Sequence, residues 1–363
     1  MVQAPDPAGA AGRPAPGAMR RRRTVVTAAV AALLVLALAV AAYLLSRPRA
    51  ETGAPAPAAT PAATPAPTLT ETPTPTETPT PTETPEPPAV ALNILVVGSD
   101  SRVNARAAAM AGAKSDQRAD TLVLVHLPAD RQSVYGISVL RDLWVGIPGH
   151  GAAKINAALE LGGLPLMKQT MEALFQQPID HAVMLDFEGF SALADAMGGV
   201  DVDIKVPFTT TVDDRFYFPA GVNRLNGAQA LAFVRERHAF PDGDHQRVRN
   251  QQTFLKAALA QLLSEGRLAD RNTAGQLART VLPHVTLDAS FTLDSFERLV
   301  FSLRSIPPGS GTFFTLPTAG PGTSRDGQSI ILPAPAAIAA VSAALANGTL
   351  AGYVAANGLE GGN

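Results

Sequence analysis

Cysteine is missing from all 363 residues. That excludes thiol nucleophiles, cysteine-held metals and disulfides, and it leaves the redox compartment open. Charge of one sign is missing too. Lys and Arg number 29 against 31 Asp and Glu, a net of -2, so nothing in the overall charge draws the chain to polyanions or anionic bilayers. His126, His181 and His238 form no metal-ligand spacing. His126 sits inside an apolar strand and reads as core. No Gly-x-Ser-x-Gly, Walker loop or dinucleotide fingerprint occurs. No basic stripe interleaved with aromatics occurs, so nucleic-acid binding has no support.

The N-terminal quarter reads as a membrane end. Residues 1–23 are small, Pro-rich and close on Arg20, Arg21, Arg22 and Arg23. Residues 24–45 carry no charge and are about long enough to cross a hydrocarbon core. A cleaved signal peptide is the rival reading, with a shorter apolar stretch and a small-residue cleavage site. The retained anchor is favoured, because four arginines precede the span and only Arg47 and Arg49 follow closely. That bias puts the N-terminus in the cytoplasm and everything after Ser46 outside. The expectation is a single-pass protein of the cytoplasmic membrane with an extracytoplasmic C-terminal part. Residues 46–88 repeat Thr, Pro and Glu, cannot bury a core, and favour an extended spacer or stalk.

Residues 89–347 read as the folded domain and 348–363 as a tail. Leu92–Gly98 and Thr121–Leu127 are short, β-branched apolar runs, hence buried strands. Tyr135–Leu140 is a third strand. Ala157–Phe175 has helical spacing, broken near Gly162, Gly163 and Pro165. Ala182–Asp186 is a strand, Phe187–Met197 a helix, and Val200–Val206 alternates as a half-exposed strand. Helices are expected over Asp270–Leu282, Ser290–Leu303 and Ala334–Leu345, with a strand at Gly311–Leu316. Strands alternating with helices give an α/β fold with a mixed sheet, and ligands in such sheets sit outside strand ends.

The stretch Ala232–Thr253 concentrates the chemistry. Ala230–His238 reads as a strand that sends Phe233, Arg235 and Arg237 to one face. Phe240–Asp244 reads as a turn, and Asp244 as the N-cap of a helix running to about Ser264. Arg247 and Gln251, four apart, share a face of that helix. Arginines from a strand end and a helix start can converge on one anion, because guanidinium groups fork onto phosphate oxygens. The plainer reading is a capped helix and a solvated edge strand.

The ordered blocks Gly98-Ser99-Asp100-Ser101-Arg102, Arg118-Ala119-Asp120-Thr121, Leu140-Arg141-Asp142, Lys154-Ile155-Asn156-Ala157-Ala158, Arg235-x-Arg237-His238 and Asp244-x-x-Arg247 with Gln251-Gln252 resemble the LytR–CpsA–Psr family. The likeness covers roughly Leu92–Ser264, with a looser C-terminal third. It implies an α/β/α sandwich with a lipid tunnel, and a membrane-bound phosphotransferase. Such an enzyme moves a glycopolymer from a polyprenyl-pyrophosphate carrier to peptidoglycan, forming a phosphodiester. Two departures stand out. Leu140 occupies a place where that family often has proline, and Asn250 one where it often has arginine, with Arg249 a residue earlier.

Under that resemblance Arg118, Lys154, Arg235, Arg237, Arg247 and Gln251 bind the pyrophosphate, whose buried charge needs compensation. Arg141 lies nearest the transferred phosphorus. Asp100 and Asp120 are a natural magnesium pair, since carboxylates with phosphate oxygens and water are how Mg2+ is usually held. Read bare, each is equally a turn residue after a strand. Asp244 has two readings, general base and helix cap. Lys154 precedes a helix, for which Asn156 reads as a plain N-cap. Met167, Met171, Phe175, Met184, Phe187, Phe190 and Met197 form an adaptable set suited to a lipid tail or to plain core. Beside transfer stand two alternatives, a non-catalytic binder of wall polyanions and a pyrophosphate hydrolase.

Overall fold

Period-two patterning explains the middle of the molecule. The computed structural model describes residues 90–99, 111–113, 118–211, 215–241, 243–264 and 282–359, with single residues between 265 and 281. Numbered in chain order, the central strands are β1 (Leu92–Ser99), β2 (Ala119–Leu127), β3 (Val134–Val139), β6 (His181–Leu185), β11 (Thr286–Leu287) and β12 (Gly311–Thr315). They pair in the order β11-β6-β1-β2-β3-β12. Pairs β1–β6 and β3–β12 are parallel, and β1–β2, β2–β3 and β6–β11 antiparallel. The sheet is therefore mixed, as expected.

Successive side chains leave opposite faces. Ile94, Val96, Val123, Val125, Val183 and Leu185 enter one core. Leu95, Val97, Leu122, Leu124, Ala182 and Met184 enter the other. Both faces are covered, which is why these strands read as unbroken apolar runs. Over the second face lie α1 (Ala157–Phe175), α6 (Pro335–Ala346) and α7 (Leu350–Ala356). Over the first lie α2 (Phe187–Ala196), α3 (Gly227–Arg235), α4 (Asp244–Ser264) and α5 (Leu293–Ser302). The result is the three-layer α/β/α sandwich. The expected break in α1 is real: Gly163 has φ 62° and ψ -161°, a region closed to residues with a Cβ.

Four two-stranded pairs complete the described part. They pair β4 (Trp144–Ile147) with β5 (Gly151–Lys154), β7 (Val200–Ile204) with β10 (Gly221–Leu225), β8 (Phe208–Thr209) with β9 (Tyr217–Phe218), and β13 (Thr318–Thr323) with β14 (Ser329–Pro333). Most are short and polar, so their alternation was lost among turn residues.

Three expectations are corrected here. Ala230–His238 is not a strand. Its first part belongs to α3, which starts at Asn226 in a capping box with Gln229. That Asn-x-x-Gln signal, followed by Ala and Leu, outweighs the β-formers Phe233 and Val234. The packed body runs past 347, because Leu350 and Val354 of α7 and Leu359 are buried in the second core. The Met and Phe set does not form one wall. Met167, Met171, Phe175 and Met184 lie on one side of the sheet, and Phe190 and Met197 on the other. The helix expected at Asp270–Leu282 lies mostly outside the described residues; of those described, Asn272, Gly275 and Arg279 are helical, and Leu282–His284 is a single 3-10 turn. The spans 24–45 and 46–88 also lie outside them, and among the described residues no helix is long and apolar enough to cross a membrane.

Candidate active site

Strand register brings the first two groups together. Leu122 of β2 lies opposite Val139 of β3 in an antiparallel pair. Two residues back along β2 and two on from β3, Asp120 and Arg141 must therefore face each other. Arg141 Nη1 donates to Asp120 Oδ1 at 2.5 Å, with only 12% and 9% of the two side chains exposed. A charge-assisted bond this sheltered from water is strong and fixes both groups.

Asp142 extends the chain of charges. Its Oδ1 lies 3.1 Å from Lys154 Nζ, and its Oδ2 3.7 Å from Arg141 Nε. Backbone bonds lock this turn: Asn156 N–H donates to Arg141 O, Ile155 N–H to Leu143 O and Ile331 N–H to Asp142 O. Asn156 holds the N-cap place of α1, yet its side chain makes no capping bond there. The plain-cap reading of that residue is corrected.

Helix α4 supplies the third side. Arg247 and Gln251 share a face, as their spacing requires. They line a small cavity with Asp120, Thr121, Ser138 and Arg141. Arg247 is 2% exposed, the largest fully buried side chain among the described residues. Among the described residues this lining carries two guanidinium groups and one carboxylate. An anion at this lining would meet both guanidinium groups and the Gln251 amide. Thr121 and Ser138 were not anticipated as lining, because only the pairing of β2 with β3 aims them there.

Arg235 and Arg237 are placed differently from the expectation. Arg235 ends α3, its guanidinium 4.6 Å from the centroid of the Phe187 ring at the start of α2. Arg237 follows in a loop, so the two do not leave one strand face. Asn250 Nδ2 donates to Phe233 O at 3.1 Å, tying the end of α3 to the early turns of α4. Neither arginine lines the small cavity.

Between them sits Glu236, which sequence reasoning left as a strand residue. It is 0% exposed. Its Oε1 accepts from the N–H groups of Arg237, His238 and Ala239 at 2.8, 2.7 and 2.9 Å. Its carboxylate also accepts from Thr211 N–H and Oγ1. Burial alone pushes this carboxyl up, but the bonds from Thr211, Ala239 and Arg237 outweigh burial and hold it below the usual glutamate range. The loop that presents Arg237 is thus wrapped around one ionised group. Nothing in the sequence names Thr211, 25 residues earlier, as its partner.

The remaining candidates scatter. Arg118 is 62% exposed and pairs with Glu160 Oε2 at 3.1 Å, away from the cavity lining. Asp244 is the first residue of α4, one place beyond the expected N-cap, with Gly243 O accepting from Arg247 N–H; its side chain lies outside the described residues. Asp100 lies outside them as well. Arg249 turns to Gln246 Oε1, and Asn250 faces α3, so the departure at 250 has a packing role. His126 is core as expected: burial first, then Arg131, lowers its pKa to about 4, and Nδ1 meets Asn93 Oδ1. Among the described residues no three His, Asp or Glu gather to hold a metal. Asp120 fits a magnesium ion as one hard oxygen ligand, provided that phosphate and water oxygens complete the shell.

The sequence as a whole has known relatives. The sequence model of the LytR_cpsA_psr family matches residues 67–346. Over 280 residues the chain is 30% identical to "Cell wall biosynthesis protein LcpA" of Corynebacterium glutamicum, covering 66% of this chain and 53% of that protein. Over 190 residues it is 30% identical to "Polyisoprenyl-teichoic acid--peptidoglycan teichoic acid transferase TagU" of Enterococcus faecalis, covering 52% of this chain and 60% of that one. The matches thus span between half and two thirds of those curated relatives. The crystal structure of B. subtilis TagV superposes with a TM-score of 0.60 at 24% identity, over 72% of this chain and 97% of that chain, which shows the shared fold. With the family's sequence model matched over most of its length, the chain belongs to the LytR_cpsA_psr family.

Proposed function

We propose that this protein is a phosphotransferase that moves a glycopolymer from a polyprenyl-pyrophosphate carrier onto peptidoglycan, leaving a phosphodiester. The observation that carries the reading is the buried Asp120–Arg141 pair, set beside Arg247 and Gln251 in one cavity. The relatives' names support glycopolymer transfer. An acceptor hydroxyl attacks the phosphorus that bears the glycan. The new oxygen–phosphorus bond forms as the bridging bond of the pyrophosphate breaks, and polyprenyl phosphate leaves with the electron pair. Such a transfer asks for positioning and charge stabilisation rather than covalent chemistry by the protein.

In this reading Arg141 stabilises the transferred phosphoryl group and Asp120 holds its guanidinium in place. Arg247 and Gln251 bind the neighbouring oxygens. Lys154, Arg235, Arg237 and Arg118 bind the flanking parts of the substrate, Arg118 after release from Glu160. Asp244 takes the acceptor proton. Asp120, with Asp100, holds Mg2+, which supplies further charge neutralisation when bound. Residues 24–45 anchor the chain in the cytoplasmic membrane and 46–88 space the domain outside it. The test is direct: the purified full chain is incubated with a polyprenyl-pyrophosphate glycan and peptidoglycan fragments, and products are read by mass spectrometry. A phosphodiester-linked product is expected. Release of glycan phosphate alone would favour hydrolysis, and an unchanged donor would favour a binding protein.

A further inference from the structure

A second cleft runs along the other side of α4. It has a volume of about 470 Å³, within the range of small-molecule sites. Helix α4 forms its floor, and β7 and β12 its walls. Asp201, Asp203, Arg249, Gln252, Thr253 and Lys256 give it a polar lining of both signs. Its lining on α4 runs from Arg249 to Ala260; from Gln252 onward that is about 12 Å at the rise of an α-helix, the span of a disaccharide.

The cleft and the small cavity share a partition. Gln252 is 5% exposed and lines the cleft. Its Nε2 donates to Ser138 Oγ at 3.3 Å and to Thr315 Oγ1 at 3.2 Å, and Ser138 in turn lines the cavity of Asp120 and Arg141. Gln252 Oε1 is buried and meets no donor among the described residues. A buried acceptor without a donor is costly, and a ligand hydroxyl at this end of the cleft would satisfy it.

We propose that this cleft seats the acceptor of the transfer, as a disaccharide unit bearing a carboxylate. The inference rests on the phosphotransfer reading above and adds where the second substrate lies. Hydroxyls and amides of such a unit find donors and acceptors in Asp201, Asp203, Thr253 and Gln252. The carboxylate finds Lys256, which is exposed and in no ion pair among the described residues. The ring nearest Gln252 is thereby separated from the cavity of Ser138 and Arg141 by that side chain, which swings aside for a hydroxyl to reach the phosphate. Five charged side chains, Asp201, Asp203, Lys205, Arg249 and Lys256, stand in the lining, and a lipid arm would have to desolvate them. Asp201 and Asp203 are engaged by Arg224 and Lys205, which argues against a bare cation.

The test uses the full chain in detergent and titration calorimetry. The probes are the N-acetylglucosamine–N-acetylmuramic acid disaccharide, neutral chitobiose and inorganic pyrophosphate. The variants are Lys256→Glu, on an exposed position, and Ala260→Trp, which fills the far end of the cleft. We expect the acidic disaccharide to bind at least about tenfold more tightly than chitobiose, and each variant to lose at least about tenfold for it. Pyrophosphate binding is expected to stay unchanged in both. Disaccharide affinity that ignores both substitutions, or no preference over chitobiose, would overturn the cleft and leave phosphotransfer standing. Pyrophosphate affinity lost in Lys256→Glu would also overturn it, because the cleft would then serve the donor. A wild-type chain that binds no pyrophosphate would remove the phosphotransfer reading and this inference with it.

Discussion

At the scale of single residues, the site depends on charges that hold each other in place. Removing Arg141 takes away a charge-assisted bond worth about 1.5–3 kcal/mol and leaves Asp120 buried at 9% exposure with that bond unmade. Arg141→Ala should therefore lower transfer by about one hundredfold or more and also lower thermal stability. Arg141→Lys keeps the charge without the planar fork and should recover stability more than turnover. Single-turnover transfer and a thermal melt, run on both variants, separate the two effects; full turnover in Arg141→Ala would refute its role. Glu236 makes a pH prediction. Its folded pKa is depressed, so its stabilisation is present above the ordinary glutamate range and is lost as pH falls through the lower folded value. In Glu236→Gln that acid-side loss should vanish from urea midpoints measured across the same range, while stability at neutral pH drops. A Glu236→Gln titration that still follows the wild type would show that another group carries it.

At the scale of elements, what matters is how α3 is held, since it ends in Arg235. Gly227 opens α3 against α2. A Cβ there would lie 2.2 Å from Ser191 O and 2.6 Å from Asp195 Oδ2, and Gly227 N–H already donates to Asp195 Oδ1. Gly227→Ala should cost about 1–3 kcal/mol as an overpacked contact, read as a lower urea midpoint, with Arg235 displaced from the Phe187 ring. An unchanged midpoint would show that the α2–α3 contact yields freely. The same helix marks the limit of pattern reading. Phe233 and Val234 suit a strand, and only the Asn226–Gln229 capping box argues otherwise. By contrast, α4 was readable, because Arg247, Gln251 and the apolar positions beyond keep helical spacing over 21 residues.

For the whole molecule, the C-terminal end belongs to the fold. Leu350, Val354 and Leu359 are 1%, 3% and 8% exposed within the second core. A chain ended after residue 347 should lose several kcal/mol of burial, at about 1.5–3 kcal/mol per buried side chain as an upper bound. Its melting temperature should fall by roughly 2–4 °C per kcal/mol. Calorimetry on the truncated chain checks this, and an unshifted melt would mean that these side chains gain little from the core. The proposed metal dependence also belongs to this scale, because Asp100 and Asp120 come from separate blocks. Transfer should stop in EDTA and return with added Mg2+; transfer that persists unchanged would remove the ion from the site.

The central strands β1, β2, β3, β6 and β12, the mixed sheet and the break at Gly162-Gly163 were determined by the sequence alone, because side-chain period and turn residues act locally. That Asp120 and Arg141 end neighbouring apolar strands was legible, but their meeting follows from the antiparallel pairing of β2 with β3, which only the fold shows. Glu236 as the hub of a loop, Arg118 turned to Glu160, and the Met and Phe residues divided between two cores were decided by tertiary structure. Each depends on which distant backbone closes around a side chain: Thr211 for Glu236, α1 for Arg118, the intervening sheet for the apolar set. Burial and partnership are properties of the packed chain, and no local spacing encodes them.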